Sequence, residues 1–184
     1  MTDDWTPAAP GGLAAANLHL IEQGTALLAG LDLGLYSAPP PVPMGTIGGH
    51  FRHCLEFYER FLAGLDAGAI DYDARKRDPR VERDPGHARS RLLAAAAGLR
   101  GLPAVLADHP LAVIDDSDDN GATVPGRSTV RRELSFLASH TTHHYALIAA
   151  LLRLRGVEPG AGFGVAASTL AHHRRARLAA AARP

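Results

Sequence analysis

Apolar residues recur at helical spacing along most of this chain, and clusters of Gly and Pro divide the pattern into separate segments. The first helical segment covers about residues 13–33 and ends before the three prolines at 39–41, which cannot continue a helix. The second begins near Thr46 and ends around Gly64 or Gly68. No stretch of useful length alternates apolar and polar residues, so the pattern predicts helices and no strands.

Two further helices are predicted in the second half of the chain. The third covers about residues 85–106, with Asp84 as its N-cap and a proline in its first turn. Ser128 or Thr129 caps the fourth, which runs to about residue 155 and is the longest and most apolar of the four. Four long helices joined by substantial loops are typical of a bundle packed around one shared core.

The remaining segments are predicted to be connections. Residues 71–84 are polar, and residues 115–126 are too polar and turn-rich to be anything but a loop. Residues 166–182 can form a short C-terminal helix. The sequence therefore predicts an all-α protein, a four-helix bundle with a short C-terminal helix. It forms a single domain whose core covers about residues 13–156, with 157–184 as a C-terminal extension.

The composition limits the binding partners and the cellular compartment that are expected for this protein. The chain has 184 residues, with 19 Lys and Arg against 19 Asp and Glu, so it has no net positive charge to attract nucleic acid or an anionic membrane. Its one cysteine, Cys54, excludes an intramolecular disulfide and favours a reducing compartment. No signal-like segment or long apolar run is present, so neither secretion nor membrane insertion is indicated. We expect a cytoplasmic protein.

Three histidines lie within five positions of the fourth predicted helix: His140, His143 and His144. Side chains four residues apart stand one above the other on a helix, so His140 and His144 can converge on one point. Two imidazoles at this spacing make half of a metal site. The alternative is a pair of core histidines, each with its own hydrogen-bond partner. His143 points away from the pair, where it could orient a neighbour or meet solvent.

The second predicted helix offers two candidates for a third ligand, His50 and His53. The apolar stripe of this helix lies nearer His50 than His53, so periodicity alone favours His50 as the residue that faces the core. Cys54 and Tyr58 on the same helix are expected to be buried core residues without a chemical role.

Two segments of the chain resemble the DinB family of metal-binding helical bundles. Residues 46–53, Thr-Ile-Gly-Gly-His-Phe-Arg-His, are similar to the family's pattern on its second helix, and residues 139–144, Ser-His-Thr-Thr-His-His, are similar to its His-x-x-x-His pattern. The resemblance implies a four-helix bundle with three metal ligands: His53, His140 and His144. It makes His50 an extra polar group one turn away, so the apolar stripe and the motif disagree on the second-helix ligand. Both His50 and His143 remain alternative ligands or neighbours of the ligands.

Three neutral imidazoles leave at least one coordination position open, as catalytic rather than structural zinc sites do. At such a position a metal can activate a water or a thiol. Imidazole ligands suit divalent transition metals in general, with Zn or Ni expected first and Fe, Mn or Cu also compatible. A di-iron carboxylate site is disfavoured, because the Glu-x-x-His motif is absent from the sequence.

The segment 70–78 combines acidic residues with Tyr72, Arg75 and Arg77. It could fold over the mouth of the bundle and present Arg75 or Arg77 to a substrate carboxylate or phosphate, which the guanidinium fork matches well. The alternative, which we favour on general grounds, is a solvated loop closed by its own salt bridges.

Two classes of function follow from this reading. The first is a metal-dependent enzyme, a transferase or hydrolase whose metal activates a low-molecular-weight thiol or a water, as the resemblance implies. It would act on a small-molecule substrate and could form a homodimer. The second is a non-catalytic metal-binding bundle associated with stress. The sequence does not indicate the substrate, nor any catalytic residue beyond the metal ligands.

Overall fold

The computed structural model describes residues 10–103, 106–114 and 125–181, and most of them are helical. The helices are α1 (Pro10–Gly30), α2 (Leu33–Ser37), α3 (Ile47–Leu65), α4 (Pro79–Arg83), α5 (Pro85–Arg100), α6 (Val130–Arg153) and α7 (Ala167–Ala181). Three short strands lie between them: β1 (Ala69–Asp71), β2 (Pro110–Ile114) and β3 (Gly126–Thr129). The four long helices predicted from the sequence correspond to α1, α3, α5 and α6.

Side-chain caps define where the long helices begin. The Thr46 hydroxyl accepts a hydrogen bond from the Gly49 amide at 2.9 Å, and α3 starts at the next residue. Thr129, one of the two predicted caps, does the same for the Arg132 amide at the start of α6. The predicted Asp84 cap of α5 is confirmed, but this helix ends at Arg100, with Gly101 as its C-cap, instead of near residue 106.

The four long helices pack around one hydrophobic core. Helix α1 contacts α5 and α6, and α3 contacts the same two helices from another side. The fully buried side chains include Ile21 of α1, Phe51, Leu55 and Phe61 of α3, Leu92 of α5 and Leu134 of α6. Cys54 and Tyr58 are also buried, as the stripe on α3 predicts. Burial of this apolar area is the main stabilising term of the fold.

A buried polar network joins three of these helices. The Tyr58 hydroxyl donates to Asn17 Oδ1 at 2.8 Å and accepts from the Thr141 hydroxyl at 3.1 Å. The Asn17 amide in turn donates to the Leu134 carbonyl at 2.9 Å. Because each buried polar atom in this chain of contacts has a partner, the network fixes the register of α1, α3 and α6. Thr141 follows His140 directly, so the same network supports the backbone of the candidate site.

The prediction of a purely helical protein is wrong in one respect: β1, β2 and β3 form a small sheet. Strand β1 pairs with β2 in parallel, with Ile70 opposite Val113, and β2 pairs with β3 in antiparallel fashion, with Leu111 opposite Ser128. The strands have three to five residues. Runs this short cannot show the alternation by which a strand is recognised in a sequence.

The polar segment after α3 is more ordered than a simple loop. It contains the end of β1 and the short helix α4, and a hydrogen bond to Glu56 holds it against α3. This buried carboxylate accepts hydrogen bonds from the Asp78 amide at 2.9 Å and from Arg52 at 3.2 Å. Residues 72–78 are therefore held close to the α3 face that carries the histidines.

The C-terminal helix α7 agrees with the prediction of a short helix, and its residues from Ala171 to Ala180 are exposed. Most of the predicted loop 115–126 lies outside the described residues, and its last residue, Gly126, begins β3. None of the helices in the described part of the chain combines the length and the hydropathy that a membrane-spanning segment requires.

Candidate metal centre

Helices α3 and α6 bring three histidines together. His140 and His144 stand one turn apart on α6, and their ring centroids are 4.6 Å from each other. His53 of α3 faces both of them, with centroid distances of 4.9 Å to His140 and 4.6 Å to His144. One ring nitrogen from each residue lies within 4.8 Å of the others, which is close enough to hold one metal ion.

The surroundings of His140 fit a metal ligand. Its Nε2 atom is buried and has no hydrogen-bond partner among the described residues. The ring is held by Phe57 and Phe136, whose centroids lie 4.3 and 5.4 Å away. A buried imidazole nitrogen without a partner is energetically costly, and coordination to an ion would remove that cost.

The three histidines are neutral at physiological pH. Burial, with smaller contributions from Arg75 and neighbouring histidines, lowers the pKa of His53 and of His140 to about 4. Burial, followed by repulsion from His140 and His53 when they are protonated, lowers the pKa of His144 to about 3. A neutral imidazole is the form that binds a metal, so no proton has to be displaced near pH 7.

His50 is adjacent to the cluster but outside the group of three. Its side chain is buried, and its Nδ1 lies 2.9 Å from Nδ1 of His144. Burial lowers its pKa, against a raising effect of the Met44 backbone. The apolar stripe identified His50 correctly as the more buried histidine of α3. Nevertheless, the half-buried His53 is the one that the structure groups with His140 and His144.

His143 lies beside the cluster on the outer face of α6. It is exposed, and its ring meets that of His144 edge-on at a centroid distance of 5.2 Å. Its direction agrees with the helical geometry, which points it away from His140 and His144. The structure therefore places His143 at the rim of the cluster.

Of the three candidate substrate-binding residues in segment 70–78, two lie near the cluster. The Tyr72 ring stacks on Phe57 at 4.9 Å, and the Arg75 guanidinium lies 4.8 Å from the centroid of the same ring. The charge of Arg75 helps to lower the pKa values of His53 and His140. Arg77 is exposed and has a positive φ of 50°.

Two cavities flank the histidines. One, of about 450 Å³, is lined by His50, His53 and His144 together with Arg52 and Glu82. The other, of about 300 Å³, lies beyond Phe57 and is lined by Phe57, Tyr72, Arg75, Arg132, Glu133 and Phe136, among others. The first gives solvent access to the histidine rings, and the second combines aromatic walls with two guanidinium groups. Both volumes are in the range of small-molecule sites.

Three residues beside the cluster were not predicted to belong to the site: Phe57, Phe136 and Glu133. Phe57 follows His53 by four residues and Phe136 precedes His140 by four, so helical spacing could have placed them beside the candidate ligands. Glu133 is fully buried and accepts hydrogen bonds from Tyr72 and Ser128 at 2.9 and 2.5 Å. No sequence signal distinguishes it from a solvated glutamate.

The fold and the site together define a class of protein: a mostly helical domain in which two of its long helices carry three histidines placed to hold a metal ion. Comparison with family models gives the family. The model of the DinB superfamily matches residues 22–148, and this chain belongs to that superfamily. The matched region extends from α1 to α6 and includes all the histidines of the cluster.

Part of the chain is also similar to one curated protein. The chain is 33% identical over 106 residues to FK506-binding protein 5 of Rhizopus delemar. The match covers 56% of this chain but 27% of that protein, so the chain spans about a quarter of the relative's length. No solved structure matches the chain.

Proposed function

We propose that this protein binds one divalent transition metal through His53, His140 and His144 and uses it as a metal-dependent enzyme. The observation that carries the proposal is the convergence of three neutral imidazoles whose ligand atoms lie within 4.8 Å of one another. The buried, unpartnered Nε2 of His140 supports it. When bound, the metal would act as a Lewis acid toward a thiol or a water in the open position.

The donor set suits several metals. Imidazole nitrogens bind Zn and Ni well, and we propose one of these as the native metal, with Fe, Mn or Cu as alternatives. Two aromatic residues hold the histidine rings in position: Phe57 packs against His53 and His140, and Phe136 packs against His140. Rings held in this way need little reorganisation to bind an ion.

We propose that the substrate is a small molecule that carries a carboxylate or a phosphate, and that Arg75 binds this group. The Arg75 side chain is 14% exposed and is held by one hydrogen bond from Nη1 to the Tyr72 carbonyl at 2.7 Å. Its Nη2 lies 3.8 Å from Asp73, beyond hydrogen-bond distance, and can turn toward a ligand. Tyr72 and Phe57 would provide an apolar surface beside that anion.

The choice of a transferase or hydrolase that acts with a low-molecular-weight thiol rests on the resemblance described above. A cytoplasmic location fits the single buried cysteine, and a homodimer is part of the same proposal. The zero formal net charge supports neither a nucleic acid nor a membrane as partner.

Elemental analysis of the untagged protein, saturated with Zn or Ni and then desalted, tests the metal site. We expect about one metal ion per chain in the wild type. His53→Ala, His140→Ala and His144→Ala should each lose it. His143→Ala is the matched control, because it removes an exposed histidine of the same helix and should retain the metal. The absence of metal from the wild type after reconstitution would contradict the proposal.

Turnover assays with thiols and acidic small molecules test the enzymatic part. For an active substrate, Arg75→Gln should raise KM about tenfold or more, since a hydrogen bond to a charged group contributes about 1.5–3 kcal/mol. Lys76→Gln, at the exposed neighbouring position, is the control. If the metal-loaded protein turned over none of these compounds, and none altered the spectrum of the bound metal, the non-catalytic metal-binding function would be favoured.

A further inference from the structure

We infer that His50 is a positioning residue that holds His144 in the tautomer able to bind the metal through Nε2. This inference rests on the proposed metal site. It gives a role to a buried histidine that lies outside the group of three and would otherwise have no function in the core.

The contact between the two rings is a direct hydrogen bond. Nδ1 of His50 and Nδ1 of His144 are 2.9 Å apart, and the ring centroids are 5.1 Å apart. Since both atoms are imidazole nitrogens, one must carry the hydrogen and the other must accept it. Two arrangements satisfy this contact, and they have opposite consequences for the site.

In the first arrangement His144 donates from Nδ1, and its Nε2 keeps a lone pair that can face an ion. In the second, His50 donates, so that a neutral His144 carries its hydrogen on Nε2 and cannot bind a metal there. Only the first is compatible with His144 as a ligand. It requires His50 to carry its own hydrogen on Nε2 and to accept at Nδ1.

The turn before α3 passes close to the His50 ring. Gly45, with a φ of 84°, lets the chain pass close to the ring, so that a Cβ at this position would lie 3.6 Å from His50 Nε2. Nε2 of His50 is buried without a hydrogen-bond partner among the described residues, so the contact with His144 is the hydrogen bond that holds the His50 ring.

His50 also links the two helices of the site. It precedes the ligand His53 by three residues on α3 and contacts the ligand His144 on α6. The side chain is 7% exposed, so water competes little for its Nδ1. The exposed His143 touches the same ring of His144 without a hydrogen bond to it in the structure. His143 therefore offers a matched control.

The experiment measures Zn affinity by chelator competition for the wild type, His50→Leu, His50→Asn and His143→Asn. Loss of a group that orients a ligand weakens metal affinity by about 10- to 100-fold, and we expect this for His50→Leu. His50→Asn should recover most of the affinity, because its Oδ1 stands near the position of Nδ1 and can accept from His144. His143→Asn should bind like the wild type.

Nitrogen-15 NMR of histidine in the wild-type Zn-bound protein reports the tautomers without any substitution. We expect a hydrogen on Nδ1 of His144 and on Nε2 of His50. The opposite tautomers would overturn the inference, as would His50→Leu binding within twofold of the wild type or His50→Asn binding as weakly as His50→Leu.

Two further outcomes distinguish a failure of the positioning role from a failure of the proposed metal site. If cobalt-substituted His50→Asn lost its metal spectrum as completely as His53→Ala, His50 would itself be a ligand, and the positioning role would be wrong. If the wild type bound no Zn, the proposed metal site would fail before any variant was compared. Circular dichroism and urea unfolding of the metal-free variants show whether each one keeps the fold.

Discussion

Tyr145 and His140 each bury a polar atom for which the described part of the chain offers no hydrogen-bond partner. For His140 the orphaned atom is a ring nitrogen at the edge of the metal cluster, and an ion would satisfy it. The Tyr145 hydroxyl lies in the core, with the ring stacked on Phe163 at 4.6 Å, and none of the described groups uses it. A buried polar atom without a partner thus indicates metal binding at His140 and a cost to stability at Tyr145.

We predict that Tyr145→Phe raises the free energy of unfolding by about 1 kcal/mol, within the 1–3 kcal/mol cost of a buried unpaired polar group. The substitution removes the hydroxyl and keeps the ring. It should leave the metal content unchanged, because Tyr145 is not among the three candidate ligands. Urea unfolding of the metal-free protein is the measurement.

Tyr72→Phe is the control with opposite sign. Its hydroxyl donates to the buried Glu133 carboxylate at 2.9 Å, and its loss should lower the free energy of unfolding by about 1.5–3 kcal/mol. If Tyr145→Phe destabilised the protein as much as Tyr72→Phe, the Tyr145 hydroxyl would have a partner in the folded protein.

At the scale of elements, α3 positions the site through a close approach to α4. A Cβ atom at Gly48 would lie 2.2 Å from the Glu82 carbonyl oxygen, a distance that only a hydrogen side chain permits. Glu82 also binds Arg52 through a 2.5 Å contact between Nε and Oε1. This contact and the one from Glu56 to Asp78 keep α4 and the segment before it on the histidine face of α3.

We predict that Gly48→Ala lowers the free energy of unfolding by about 1–3 kcal/mol, because the added methyl group forces α3 and α4 apart. Thermal or urea unfolding measures the change. Gly12→Ala in α1 is the matched control: a Cβ there meets nothing within 4 Å, and replacing an exposed helical glycine should stabilise by about 0.5–1 kcal/mol. Equal effects at both positions would show that α4 does not restrict α3.

At the scale of the whole molecule, the candidate metal site exists only in the folded state. His53 and His140 are 87 positions apart in the sequence, and the packing of α3 against α6 brings their rings to 4.9 Å. An ion held by both helices would therefore stabilise the same packing that holds the core. Ligands that bind only the native state raise its stability by mass action.

We predict that free Zn at 100 times its Kd raises the free energy of unfolding by about 2.7 kcal/mol, and that a chelator reverses this increase. Chemical unfolding with and without the metal is the measurement. His53→Ala, measured at the same free Zn concentration, should show little of the increase. An equal increase in that variant would place the stabilising metal elsewhere.

Much of this architecture was predictable because helices leave local signals. Periodic apolar residues and caps such as Asp84 and Thr129 placed the starts of the long helices to within a few residues, and the i, i+4 spacing identified His140 and His144 as a pair. The sheet was missed because strands of three to five residues are held by pairing with distant segments. That pairing leaves little trace in their own sequence.

The sequence by itself determined where the long helices lie, which faces they bury and which residue types are available for a metal. These properties depend on neighbours within a turn or two, which the chain order specifies directly. Periodicity favoured His50 and the family resemblance favoured His53, and the tertiary structure decided which α3 histidine joins the pair on α6. It grouped the half-buried His53 with the pair and placed the buried His50 at 2.9 Å from His144. The choice depends on how two helices pack, and periodicity on one helix does not contain that information.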